Sequence, residues 1–350
     1  MVVIGVDAHK RTHTLVALDE VGRKLGERTV AATSEGHFAA VRWAGQWPAR
    51  RWALEDCRHL TRRLERDLLA AGERVVRVPT QLMAGARRGG RQPGKSDPID
   101  AEAVALAALR HPGLPAAELD GPAREIKLLS DHRHDLVTER TRLCNRLRWH
   151  VHELDPGLVI PSRGLRRYCV IDRLAAAMEA FGGVVARIAR ELLARCRDLT
   201  AQINAIEREL GHRVRQVAPS LLNIPGCGVL SAAVIIGETA RASRFRSKDA
   251  YARFTGTAPI PVWSGNPVRV RLNRGGNRWI NCALHMIAVT QARGIGPGKA
   301  YLDRLMARGK TRTEALRLLR RRISDTVFAA LLADETPGRG TNSSPLRRAA

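Results

Sequence analysis

Apolar and polar positions change period several times within the first 110 residues. Residues 2–7 form a short apolar run ending in Asp7, and residues 12–19 form a second, with residues 9–11 as a tight connection. Residues 24–30 read as a third strand, 35–44 as a helix, and 51–55 as a fourth strand ending in Glu55. An amphipathic helix over 59–71 stops at Gly72, and a fifth strand over 74–78 is closed by Pro79. After Asp97 a further helix runs to about Arg110. The order β-β-β-α-β-α-β-α predicts a mixed α/β domain over residues 1–110.

Residues 111–122 are rich in Pro and Gly and read as a linker. Residues 123–217 predict two long helices. Leu128, Leu129, Leu136, Val137, Leu143, Leu147 and Val151 lie near heptad spacing in the first, and Ile188, Leu192, Leu199, Ile203 and Leu210 share a face of the second. This coiled-coil pattern fits an antiparallel hairpin, a dimerising coiled coil or a helical spacer packed on itself. Residues 218–335 predict a mostly α C-terminal domain. It opens with Pro225-Gly226-Cys227-Gly228 between apolar helix ends, where Gly226 and Gly228 would bring backbone amides near a phosphate, as in a helix-hairpin-helix. The basic tail, residues 336–350, reads as disordered.

Charge narrows the function. Lys and Arg total 59 against 34 Asp and Glu, a formal net charge of +25, and only seven of the basic residues are Lys. Such an excess calls for a polyanionic partner, and nucleic acid is the usual one. The N-terminus lacks the layout of a secretory signal, and no run of 18 apolar residues occurs, so the expectation is a cytoplasmic protein with no membrane partner. The six cysteines are scattered without C-x-x-C pairs and read as reduced, mostly buried thiols rather than a zinc site. Gly298-Lys299-Ala300 lacks the rest of a P-loop, so ATP use is not indicated.

Four carboxylates supply candidate chemistry. Asp7 and Glu55 end strands that can lie along one sheet edge, while Asp97 and Asp100, three apart, share a helix face. Converging carboxylates repel one another unless cations sit between them, and oxygen ligands suit Mg²⁺ or Mn²⁺. The plainer alternative is that Asp97-Pro98-Ile99-Asp100 is a helix start with Asp97 as N-cap.

Taken together, Gly5-Val6-Asp7-Ala8-His9-Lys10, Ala53-Leu54-Glu55 and Lys95-Ser96-Asp97-Pro98-Ile99-Asp100 resemble the motifs of the DEDD transposases of bacterial insertion sequences. Ile224-Pro225-Gly226-Cys227-Gly228, Thr255-Gly256-Thr257, Trp263-Ser264-Gly265 and Asn273-Arg274-Gly275-Gly276-Asn277-Arg278 resemble the same family's second domain. The resemblance, which extends to related site-specific DNA invertases, implies a RuvC-like, ribonuclease H-type N-terminal domain whose metal ligands are Asp7, Glu55, Asp97 and Asp100. It implies Ser264 as a nucleophile that becomes covalently linked to DNA. It further implies donor and target DNA, a structured guide RNA, and a homo-oligomer in which the carboxylates of one subunit meet the serine of another. A resolvase-like nuclease without a covalent step, or a non-catalytic nucleic-acid-binding protein, would share much of this pattern.

From the residues themselves, Ser264 is a turn serine with no His in its loop to act as base. Arg269, Arg271, Arg274 and Arg278 are candidate phosphate contacts, as are Arg87, Arg88, Arg91 and Lys95 in the Gly-rich loop. Trp263 or Trp279 could stack on a base, although Trp279 reads more readily as a core residue.

Overall fold

The computed structural model describes residues 1–55, 58–79, 82–83, 96–114, 116–117, 121–262, 270–273 and 275–336. The chain forms two compact units, Met1–Asp120 and Gly121–Ala350.

The first unit holds a five-stranded sheet built from β1 (Val2–Ala8), β2 (Thr12–Leu18), β3 (Lys24–Ala31), β4 (Arg50–Glu55) and β5 (Val75–Val78). Its order is β3-β2-β1-β4-β5. The first three strands form an antiparallel meander, while β4 and β5 add parallel to β1. The helices are α1 (Ser34–Ala44), α2 (Arg58–Ala70) and α3 (Asp97–Arg110). β1 is apolar at nearly every position because both its faces are covered. Val3, Val16, Leu18, Ala53 and Val78 pack with the alanines of α3, whereas Ile4, Val6, Leu15, Trp52 and Leu54 pack with Ala40 and Ala44 of α1 and Leu64 and Leu68 of α2. The outer strand β3 is mostly exposed and carries Lys24, Glu27 and Arg28, charges that discourage another strand from adding to the edge.

Under α1 lies a buried histidine pair. The His13 and His37 rings stack at 5.3 Å, and His37 Nδ1 shares a 2.7 Å hydrogen bond with Asp67. Burial, then the neighbouring His37 and His9, push the His13 pKa from the ordinary 6.5 down to about 4. The unfolded chain accepts that proton near 6.5, so the folded state loses ground as pH falls from 6.5 to about 4 and is unaffected by this group above that window. The shift corresponds to about 3 kcal/mol. We expect the melting temperature to fall across that window, and to fall less steeply in His13→Gln. An equally steep fall in the variant would clear His13 of responsibility.

The second unit is helical: α4 (Pro122–Leu154), α5 (Tyr168–Met178), α6 (Gly183–Val217), α7 (Pro219–Leu222), α8 (Val229–Thr239), α9 (Lys248–Phe254), α10 (Arg278–Ala292), α11 (Gly298–Ala307) and α12 (Arg312–Glu335), with a small pair of strands, β6 (Ile260–Pro261) and β7 (Val270–Arg271). α4 and α6 pack antiparallel within the chain. Leu147 meets Leu193, Leu136 meets Leu199 and Ile203, and Ile126 meets Leu210 and Val214, while Arg133 pairs with Glu207 and Arg195 with Glu139. One core runs from Ile126 and Leu210 through α8, α10 and α12, so the long helices and the C-terminal segment share it. Of the five described cysteines, all free thiols, Cys144, Cys196 and Cys227 are buried, in line with mostly buried thiols, while Cys169 and Cys282 are exposed. No helix is long and apolar enough to cross a membrane among the described residues.

Candidate metal centre

Alternation along β1 decides where Asp7 points. Val3 and Gly5 lie against α3, while Ile4 and Val6 face the other layer. Asp7 continues the first set, and His9 falls two residues further on the same side. Ala53 also belongs to the α3 layer, so Glu55 shares it. β1 and β4 run parallel with Val6 beside Leu54, which leaves Asp7 and Glu55 at neighbouring strand ends. α3 can lie this close because position 5 has no side chain: a Cβ there would stand 2.1 Å from the Ala101 carbonyl oxygen. That approach lays the first turn of α3 beside Asp7.

Asp7, His9 and Asp97 form a cluster whose ligand atoms all lie within 4.8 Å of one another. His9 Nε2 is 2.9 Å from Asp7 Oδ2 and 3.4 Å from Asp97 Oδ1. Asp97 does not cap its helix. Ser96 holds the N-cap position, without a side-chain cap bond, and Asp97 begins the helix with its carboxylate toward His9. Asp100, one turn on, is buried and close enough to act on the charge of Asp7. Glu55 and Asp100 stand outside the tightest group among the described residues. His9 went unread as a site residue, although its two-residue spacing from Asp7 carries the signal.

The electrostatics fit a cation. Burial raises the Asp7 pKa, His9 opposes this through its charge and hydrogen bond, and Asp100 and Asp97 raise it further. Partial burial of His9 works against protonation, but Asp7 first and Asp97 second outweigh it and raise its pKa. The group therefore holds more negative charge than it can comfortably ionise, and His9 supplies part of the missing positive charge. Carboxylates with an imidazole suit Mg²⁺ or Mn²⁺, the nitrogen being better tolerated by Mn²⁺.

The remaining candidates fall in the second unit or outside the described residues. Ser264, Trp263, Arg269 and Arg274 lie outside them, as do Arg87, Arg88, Arg91 and Lys95. Arg271 and Arg278 are exposed. Gly226 takes φ +83° and packs against Ile287 and Thr290, and Gly228 precedes α8 with open space around it. The preceding helix, α7, has only four residues, too short for the first arm of a helix-hairpin-helix. Trp279, expected in the core, is 51% exposed. The buried stripe of α10 runs through Ile280, Ala283, Leu284, Ile287 and Ala288, and position 279 falls beside it.

Comparison with known proteins finds relatives along nearly the whole chain. The insertion element IS110 uncharacterized 43.6 kDa protein of Streptomyces coelicolor is 28% identical, over 96% of this chain and 95% of its own. The insertion element IS116 uncharacterized 44.8 kDa protein of Streptomyces clavuligerus is 26% identical over 94% of each. The transposase for insertion sequence element IS1328 of Yersinia enterocolitica is 26% identical over 75% of each. Among solved structures, T. thermophilus RuvC in complex with Holliday junction substrate matches 33% of this chain and 99% of its own, with 16% identity and a TM-score of 0.27. A DEDD-type IS110 transposase model matches residues 4–156, and the model of the transposase IS116/IS110/IS902 family matches residues 218–302. With more than half of its length matched by these two models, the chain belongs to the IS110/IS116 family of transposases.

Proposed function

We propose that this chain is a metal-dependent DNA strand-transfer enzyme whose ions are held by Asp7, Glu55, Asp97 and Asp100, with His9 beside them. The observation that carries this reading is the half-buried carboxylate of Asp7, set against Asp97 and Asp100 at the end of the central strand. Divalent ions held by Asp7, Glu55, Asp97 and Asp100 would supply the positive charge that polarises the attacking oxygen and stabilises the leaving oxygen of a phosphodiester. The chain's own part is to fix the ligands: β1 and β4 hold two strand ends in register, and α3 presents two carboxylates one turn apart. His9 neutralises part of the charge and can hold or release a proton at Nε2.

The motif around residues 255–278 adds a second element to the proposal. Ser264 Oγ attacks a DNA phosphorus, forming an Oγ–P bond as the P–O bond to the departing strand breaks. The serine proton passes to the departing oxygen. The partners on this reading are donor and target DNA, a structured guide RNA and further copies of this chain; sequence resemblance supports the serine and the RNA. Incubating the protein with its element's DNA, its transcript and Mg²⁺ is expected to yield a covalent protein–DNA adduct that Ser264→Ala abolishes. Undiminished cleavage by Ser264→Ala, without any adduct in wild type, would instead mark a resolvase-like nuclease. Copurification of a discrete RNA tests the guide.

A further inference from the structure

Beside Trp279 lies a recess made entirely by the second unit. α4 contributes Lys127, Asp131 and His134, α8 contributes Gly237 and Glu238, and Trp279 forms one wall. Its cavity volume is about 60 Å³, and its mouth is open to solvent. α8 approaches α4 closely here because Gly237 has no side chain; a Cβ would stand 2.8 Å from the Lys127 Cα. The indole meets the His134 ring in a T-shaped contact, centroids 4.8 Å apart, while about half of Trp279 stays in solvent. An exposed tryptophan held in place by a neighbouring ring is a surface ready to stack on another flat group.

The floor indicates which flat group. Lys127 Nζ is 2.5 Å from Glu238 and 3.1 Å from Asp131, and Glu238 also accepts a 2.6 Å hydrogen bond from Asn277 Nδ2. With both carboxylates against it, the ammonium is neutralised and offers a phosphate little. Donors and acceptors standing side by side are instead what the edge of a nucleobase needs. The charge for a backbone phosphate stands next along the chain. Arg278 is exposed and forms no hydrogen bond or ion pair among the described residues. A protein of net charge +25 brings polyanions to such a surface.

We propose that this recess receives an unpaired base of a DNA strand, stacked on Trp279 and read at its edge by Lys127 and Glu238, with Arg278 on the adjoining phosphate. The proposal rests on the reading of the chain as a DNA-processing enzyme. It adds a place where a base leaves the duplex, which strand exchange requires as one pairing gives way to another.

The test is fluorescence anisotropy on the full chain at fixed salt, with EDTA present so that metal chemistry plays no part. The probes are a single-stranded DNA oligonucleotide, its fully paired duplex and the same single strand as RNA. Trp279→Ala is expected to weaken single-stranded DNA binding roughly 5- to 100-fold, the loss that alanine causes at a stacked base. Trp279→Phe should keep most of the affinity, and duplex affinity should change less than about twofold, the phosphate contacts being intact. Circular dichroism on both variants checks that α10 still folds. Unchanged single-strand binding, an equal loss on duplex, or a loss on RNA alone would overturn the proposal. So would a change in oligomeric state by light scattering with binding intact, because Trp279 would then face another copy. Since binding is read without metal, a failed cleavage assay leaves this result standing, and a failed stacking result leaves the metal centre untouched.

Discussion

Asp7→Asn is expected to abolish metal-dependent DNA cleavage while leaving a protein at least as stable as wild type when metal is absent. Both effects come from one physical fact. The Asp7 carboxylate is half-buried against Asp97 and Asp100, and burial together with those charges holds its pKa above the usual carboxylate value. A raised carboxylate pKa means the folded state binds the proton more tightly than the unfolded chain. The ionised side chain therefore costs stability at neutral pH, and the cost disappears as pH falls through the folded pKa. Asn keeps the shape and removes the charge. Metal binding should reverse the order, because a cation between the carboxylates stabilises the wild type by mass action and finds fewer ligands in the variant. Loss of several kcal/mol of transition-state stabilisation corresponds to a fall in cleavage of about 10³-fold or more. The measurements are cleavage of end-labelled DNA in Mg²⁺ and Mn²⁺, and melting temperature with and without Mn²⁺. If the variant cut normally, or gained as much stability from Mn²⁺ as wild type does, Asp7 would not be a ligand.

Much of this site could be read from residue order, and the parts that could not share a cause. The strands and helices of the first unit fall within a residue or two of their expected positions, helped by strong stops at Gly72 and Pro79. The α3 side of Asp7 follows from alternation along β1 once the layers are known, but layers are tertiary information. Ser96 and Asp97 are both good N-cap residues, so sequence could not say which would cap and which would be left for the cluster. His9 was hidden for a similar reason, since Asp-Ala-His at a strand end reads equally well as a tight turn. In the long helices the apolar stripe marked most of the buried face, though Leu128 is exposed, but not what buries it. Pairing of α4 with α6 is visible only through cross-helix contacts such as Arg140 Nη1 to Thr200 Oγ1 at 3.0 Å. Trp279 was legible and misread: counting from Ile280 at helical spacing leaves it off the stripe.

The step on which the site geometry depends is the approach of α3 to β1, and Gly5→Ala attacks it directly. A methyl at this position would stand 2.1 Å from the Ala101 carbonyl oxygen, 2.6 Å from the Ala105 nitrogen and 2.8 Å from the Ala105 Cβ. Two of these neighbours are helix backbone, which cannot rotate aside as the tip of a long side chain would. α3 must therefore move as a body. It is held by a dense layer of small residues, with Ala101, Ala105 and Ala108 wholly buried, so the movement opens gaps along the same interface that the methyl overfills. Overpacking of this kind costs about 3 kcal/mol or more when the clash is with backbone. Because Asp97 and Asp100 ride on the first turn of α3, the same movement carries them away from Asp7. The expected result is a lower melting temperature together with a smaller gain on adding Mn²⁺. Gly113→Ala is the control, since a Cβ there meets nothing within 4 Å, and it should leave both quantities near wild type. A Gly5→Ala protein that melted like wild type and responded fully to Mn²⁺ would mean that something other than helix-to-strand contact at Gly5 sets the distance between Asp7 and Asp97.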